Sequence, residues 1–300
     1  MKILFLTHFY APHIGGVEKH AAEVAKALNA SGHKVIVLTE KHDKSLKNWE
    51  IIDGVKVVRF LYPHIKYLGL LSIWLAIWKN RKLIKDAEIV HIHDVFIWYL
   101  PFRFLYKDKK IFTTFHGWEG VWPIPKLNIR LKQLAAKYSN GTIAIGKYIE
   151  KYYGVKSDIV MYGGQNTSPL RSGVVKYKNS VVFVGRLEED TGVLKFFKRL
   201  EDFRYRDVQF VGDGKLWKEC EKYGKIHGFC DPTPFLQAAE YVVPGGYLSY
   251  IEAVSYKCKI IVYPNNPLKK DYWKEIMEVK KFPTWEAVSH EYSTLYHSSK

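Results

Sequence analysis

The chain alternates short unbroken apolar runs with longer stretches in which apolar residues recur every three or four positions. Runs of the first kind lie at Lys2–Thr7, Lys34–Thr39, Val55–Leu61, Glu88–His91, Lys110–Phe115 and Gly141–Ile145. They recur at Ser180–Val184, Val208–Val211, Lys225–Ile226, Tyr241–Val243 and Lys259–Val262. Many are Val, Ile, Leu and Phe without alternation, as strands covered on both faces require. Between them, Val17, Ala21, Val24, Ala25 and Leu28 share one helical face, and Gly32 stops that helix. The alternation predicts an α/β fold with parallel sheets.

The rhythm breaks at "GGQNTSPLRSG", Gly163 to Gly173, and then restarts. Two open α/β domains are predicted, 1–163 and 174–284, with a last helix over 285–300 that packs back on the first. A length of 300 residues agrees, being more than one ordinary core accommodates. The chain is 47% hydrophobic and 25% charged, which excludes a disordered protein.

Other bulk properties narrow the setting. Cys220, Cys230 and Cys258 show no metal or disulfide spacing, so a reducing cytosol is expected. The opening MKILFLTHF reads as a first strand rather than a leader. The longest apolar stretch, Tyr67 to Trp78, is too short to span a bilayer, which takes about 20 residues. It reads as a buried helix of the first domain, with a membrane-surface helix as the second reading. The net charge of +16 favours an anionic partner. No nucleic-acid-binding signature accompanies it, so no specific nucleic acid is expected.

Candidate chemistry gathers at strand ends. Gly15 and Gly16 sit between the first strand and the first helix. Glycine admits close approach of a ligand, and a helix start attracts phosphate; a tight turn without ligand explains the pair equally well. GxGxxG and GxxxxGK[ST] fingerprints are absent there. In the second half Gly185-Arg186, Gly212-Asp213-Gly214, Gly228 and Gly245-Gly246 each follow a strand candidate, which points to one ligand-binding rim. His91, His93 and Asp94 suggest a metal pair, but no third ligand lies nearby in sequence, so no metal is expected.

These segments together resemble the retaining glycosyltransferases of family 4. The motifs run in order: GGVE at 15–18, HIHD at 91–94, TTFHG at 113–117, FVGRL at 183–187, FVGDG at 210–214, and a Gly-turn-Glu segment ending in IEAV at 251–254. The resemblance implies the GT-B fold, two Rossmann-like domains facing across a cleft. It implies transfer of a sugar from a nucleotide-diphosphate donor to a hydroxyl acceptor with retention, without metal or other cofactor. His116 then matches the family's active-site histidine, and Arg186 the arginine on the diphosphate. Gly15, Gly16 and the backbone of Gly246, Tyr247 and Leu248 take up the phosphates. Glu252 matches the ribose-binding glutamate, and Gly228 and Phe229 fall in the base region. The chain departs from the pattern at Thr191, where the family has lysine, at Pro244, where it has glutamate, and at Ser249, where it has proline. Those departures carry the second reading, a relative that binds a nucleotide sugar, or serves as a partner subunit, without turnover.

Between Gly120 and Ile149 there is no Asp or Glu. Lys126, Arg130 and Lys137 share one helical face there, beside Leu127, Leu131, Leu134 and Tyr138, with Trp118 and Trp122 upstream. This segment reads as the acceptor side, docking a lipid-linked or anionic acceptor or an anionic membrane, or else as a core helix with a basic edge. A cytoplasmic protein, peripheral on the membrane face, is the resulting expectation.

Overall fold

The structure is a computed structural model and describes residues 1–63, 68–117, 120–165, 176–202 and 207–298. The chain divides into two compact units. The first comprises Met1–Glu119, Pro123–Tyr162 and Trp285–Lys300; the second comprises Gly120–Trp122 and Gly163–Thr284.

The first unit is built on eight strands: β1 (Lys2–Thr7), β2 (Lys34–Glu40), β3 (Trp49–Ile52), β4 (Val55–Phe60), β5 (Ile89–His93), β6 (Lys110–Phe115), β7 (Gly141–Ala144) and β8 (Ile159–Val160). Their order in the sheet is β3-β4-β2-β1-β5-β6-β7-β8. All neighbours are parallel except β3, which pairs antiparallel with β4 across Asp53-Gly54, both at positive φ. The order reverses between β1 and β5, so right-handed crossovers send helices to opposite faces on either side of that point. Leu4, Phe5, Val90 and Ile92 of these strands are buried, as strands covered on both faces must be.

The last helix, Trp285–Ser298, belongs to this unit and packs on the first helix, Gly16–Ala30. Trp285, Val288, Ser289, Tyr292, Leu295 and Tyr296 are its buried residues, spaced at three and four and so forming one stripe.

The second unit has five parallel strands: β9 (Tyr177–Val184), β10 (Asp207–Val211), β11 (Lys225–Ile226), β12 (Ala239–Pro244) and β13 (Lys259–Ile260). Their order is β11-β10-β9-β12-β13, which reverses between β9 and β12. Phe183, Phe196 and Phe210 fill one side of this sheet, and Val182, Leu236 and Val242 the other.

Two expectations change. The apolar stretch before Trp78 forms a helix, Gly69–Lys79, that buries only Ile73, Ala76 and Ile77. Its opposite face is exposed, so it is not a core helix. The helix Lys126–Tyr138 turns Lys132 and Ala135 inward, not the leucine row: Leu127 is 65% exposed.

Candidate functional site

In the first unit the reversal point is occupied by histidines. His91 and His93 alternate with Ile92 on β5 and so share a face. His116 follows β6, and His20 comes from the first helix. All four are buried. His93 Nδ1 and His116 Nε2 form a hydrogen bond of 3.0 Å, and the His20 ring stands edge-on to His116 at 4.8 Å. His91 Nε2 bonds Thr114 Oγ1 at 2.7 Å, and His91 Nδ1 bonds the Tyr296 hydroxyl at 2.7 Å. His20 Nε2 bonds the Tyr292 hydroxyl at 2.9 Å, which also reaches Thr114 Oγ1 at 3.0 Å. The last helix therefore supplies hydroxyls to two of the four rings.

Burial, the dominant cause, holds His91, His93 and His116 well below the usual imidazole range and lowers His20 to about 3. The rings are neutral at pH 7, so each nitrogen either donates or accepts. Two side-chain nitrogens, His93 Nε2 and His116 Nδ1, are buried without a protein partner. Among the described residues no group of three His, Cys, Asp or Glu is arranged to hold a metal ion.

Asp94, at φ 60°, bends the chain just after β5. Its Oδ2 accepts from the His116 backbone N–H at 3.1 Å and its Oδ1 from Lys132 Nζ at 2.8 Å. Lys132 is buried over the rings of Tyr153 and Phe115, at 5.0 and 5.5 Å. Gly117, at φ 98°, has no room for a Cβ beside the Tyr148 hydroxyl, and its carbonyl accepts from Tyr153. The backbone at His116 is thus pinned from both sides.

Gly15 and Gly16 differ. Gly15 caps the first helix in extended conformation, and the Glu18 carboxylate occupies the space its Cβ would need. Glu18 also lies 3.2 Å from His13 Nδ1. A Cβ on Gly16 would meet nothing within 4 Å.

The second unit repeats the contrast. A Cβ on Gly185, at φ 154°, would lie 2.8 Å from the Gly245 Cα, and Cβ atoms on Gly212 and Gly214 would strike the carbonyls of Gly185 and Leu187. These three glycines let backbone pack on backbone. Gly246 differs: it is the extended N-cap of the helix Tyr247–Ser255, with open space where a Cβ would stand. Tyr247 and Leu248 bury their side chains, leaving the backbone as the feature of that helix start. Ser249 Oγ accepts from the Gly246 N–H at 3.3 Å and donates to its carbonyl at 2.9 Å. Glu252 is half-buried on the same helix. Gly228, at φ 66°, accepts from the Gly212 N–H, and Phe229 beside it is exposed.

Arg186 is half-exposed and paired with Asp190 at 2.8 Å. Thr191 is buried, its hydroxyl donating to the Glu188 carbonyl at 2.7 Å, and Pro244 is buried as the last residue of β12. A cation the motifs do not mark lies in this neighbourhood. Lys269, in the first turn of the helix Pro267–Met277, is buried; burial lowers its amine to about 8, Asp190 opposes that shift and Arg186 adds to it.

Of the residues assigned to the acceptor side, Lys126 and Arg130 are exposed on the first unit, and Trp122 falls with the second. Trp118 lies outside the described residues. His20, Lys132, Tyr292, Tyr296 and Lys269 are the residues that motif reading misses, and Asp94, which it marks beside the histidines, serves as the partner of Lys132.

Two doubly wound sheets, each reversing its strand order where glycine and histidine collect, define the class: a Rossmann-type α/β protein of the GT-B kind. Residues 14–159 match the family model described as Glycosyltransferase Family 4. An uncharacterized glycosyltransferase of Methanocaldococcus jannaschii is 24% identical over 235 residues, 67% of this chain. That alignment spans 59% of the relative's length. Among solved structures, sucrose-phosphate synthase from Thermosynechococcus elongatus aligns with a TM-score of 0.73 at 14% identity, covering 99% of this chain and 98% of its own. Anabaena HepE, in complex with UDP and glucose, gives 0.68 at 17% identity, covering 99% and 97%. The catalytic domain of starch synthase IV from Arabidopsis thaliana, bound to ADP and acarbose, gives 0.68 at 13%, covering 99% of both chains.

Proposed function

We propose that the protein is a glycosyltransferase that moves a sugar from a nucleotide-diphosphate donor to a hydroxyl acceptor with retention of configuration. The observation that carries this reading is the open glycine cap at Gly246. It starts a helix at the reversal point of the second sheet, beside a half-exposed arginine strand end, in a fold shared with a protein complexed with UDP and glucose. The helix start, with Arg186 and Lys269, offers positive charge to a diphosphate, so the reading needs no metal. Glu252 takes the ribose and Phe229 faces the base. Gly15 makes room for Glu18, so in the first unit Gly16 is the residue open to phosphate or acceptor.

In the reaction the bond from the anomeric carbon to the donor phosphate oxygen breaks. A bond forms from that carbon to the acceptor oxygen, and the acceptor proton passes to the departing phosphate. His116, kept neutral by burial, hydrogen-bonds the sugar through Nδ1, and His93 holds the opposite edge of its ring.

Thermal shift with uridine, guanosine, adenosine and thymidine diphosphates and their sugars tests donor binding, followed by transfer and hydrolysis assays. A stabilising nucleotide whose effect disappears in Arg186→Ala and Glu252→Ala supports the reading. Binding without turnover supports the alternative, a non-catalytic relative, which the Arg186–Asp190 pair and the apolar Pro244 favour.

A further inference from the structure

The helix Gly69–Lys79 carries its largest side chains on the wrong side for a core element. Leu71, Leu75 and Trp78 are 49%, 55% and 43% exposed, at the spacing of one helical face, and Leu68 just before it is also exposed. The neighbouring helix, Phe96–Leu105, supports it from beneath. Trp74 Nε1 donates to the Ile97 carbonyl at 3.0 Å and the rings of Trp78 and Phe102 stack at 6.4 Å, so the two helices touch. That second helix ends in exposed Phe104 and Leu105. Leu68, Leu71, Leu75 and Trp78 thus form an exposed apolar stripe of the kind that marks a contact surface, while Phe104 turns toward Tyr138 at 5.3 Å.

The border of the patch is basic. Lys79, Arg81, Lys82 and Lys85 follow the stripe, with Arg81 over the Trp78 ring at 4.8 Å. At the end of the same helix lies a groove of about 520 Å³ whose lining includes Lys56, Lys79, Asn80 and Trp49. From Gly54 to Lys85, and again from Val95 to Lys107, the sequence contains no Asp or Glu.

We propose that this face docks the first unit on an anionic lipid bilayer. Leu68, Leu71, Leu75 and Trp78 enter the boundary between headgroups and acyl chains, and Lys56, Lys79, Arg81 and Lys82 take lipid phosphates. Charge selects this occupant. A second copy of the chain, related by a two-fold axis through the patch, would bring these lysines against their own copies, whereas acidic headgroups neutralise them. The stripe lies in the interface rather than across it: among the described residues no helix is long and apolar enough to cross a membrane. Docking is independent of the transfer reading and is measured without donor or acceptor.

The test is flotation of the full chain with vesicles of phosphatidylcholine alone and of phosphatidylcholine with phosphatidylglycerol, at low and at physiological salt. The wild type is expected to float with the anionic vesicles only. Leu75→Asn/Trp78→Asn and Lys79→Glu/Lys82→Glu, all at exposed positions, are expected to lower partitioning by about tenfold or more. Leu194→Asn, at an exposed position in the second unit, is expected to leave it unchanged. Circular dichroism verifies that each variant is folded. The proposal is overturned if wild type ignores anionic vesicles at low salt, or if Leu75→Asn/Trp78→Asn floats as well as wild type. It is equally overturned if that variant turns a soluble dimer into a monomer while vesicle binding is absent.

Discussion

His93 Nδ1 and His116 Nε2 lie 3.0 Å apart, and the outer nitrogen of each ring faces no protein partner. In two neutral rings sharing one proton between them, the outer nitrogens must differ: when one carries hydrogen the other is bare. His93 therefore decides whether His116 offers a sugar hydroxyl a donor or an acceptor. His116→Gln and His93→Gln are each expected to lower turnover by roughly tenfold to a hundredfold with little change in nucleotide affinity. Nitrogen-15 spectra of the imidazoles add a readout independent of turnover. If the His116 tautomer is the same in wild type and His93→Gln, His93 does not set it.

The glycines make a second prediction. Gly185→Ala sets a Cβ against Gly245 at positive φ and is expected to cost about 1–3 kcal/mol of stability. Gly246→Ala meets open space at an extended φ and should cost less than about 1 kcal/mol. It should nonetheless weaken nucleotide-diphosphate binding by about tenfold or more. Normal affinity in Gly246→Ala would remove the phosphate from that helix start.

Acid should loosen the first unit. His20, His91, His93 and His116 take protons far less readily when folded than when unfolded. Below about pH 6.5 the unfolded chain binds the extra protons, so stability falls as pH falls. Each ring is expected to cost about 2 kcal/mol between pH 7.5 and 5. Urea unfolding at the two pH values measures this, and a flat profile contradicts the buried neutral cluster.

Lys269 acts in the opposite window. Its amine loses its proton near pH 8 when folded but near 10.5 when unfolded, so between those values the unfolded chain holds a proton that the folded chain lacks. Stability should rise with pH across that window, by about 1–2 kcal/mol. Lys269→Met should abolish the rise; an unchanged slope in that variant would place the titration elsewhere.

Much of the architecture is legible in sequence because parallel strands announce themselves as unbroken apolar runs. Eleven of the thirteen strands overlap runs that also mark their crossovers, and Lys225–Ile226 matches to the residue. The hairpin strand Trp49–Ile52 carries no unbroken apolar run, and only Asp53-Gly54, a favoured hairpin turn, marks it. His116 is legible as a strand-end histidine. Its surroundings are not, because Tyr292 bonds His20 across 272 positions of chain and Tyr296 bonds His91 across 205, a proximity only the packed helices create. Lys132 misleads for a different reason. A lysine inside a basic amphipathic helix reads as solvated, and only Asp94 beneath it explains its inward turn.

The last helix closes a core that the first 162 residues begin. During synthesis that core must wait, its histidines unclosed, until the whole second sheet has left the ribosome. Nascent chains stalled before Trp285 would therefore carry an unfinished amino-terminal half, and the order of folding would run against the order of translation.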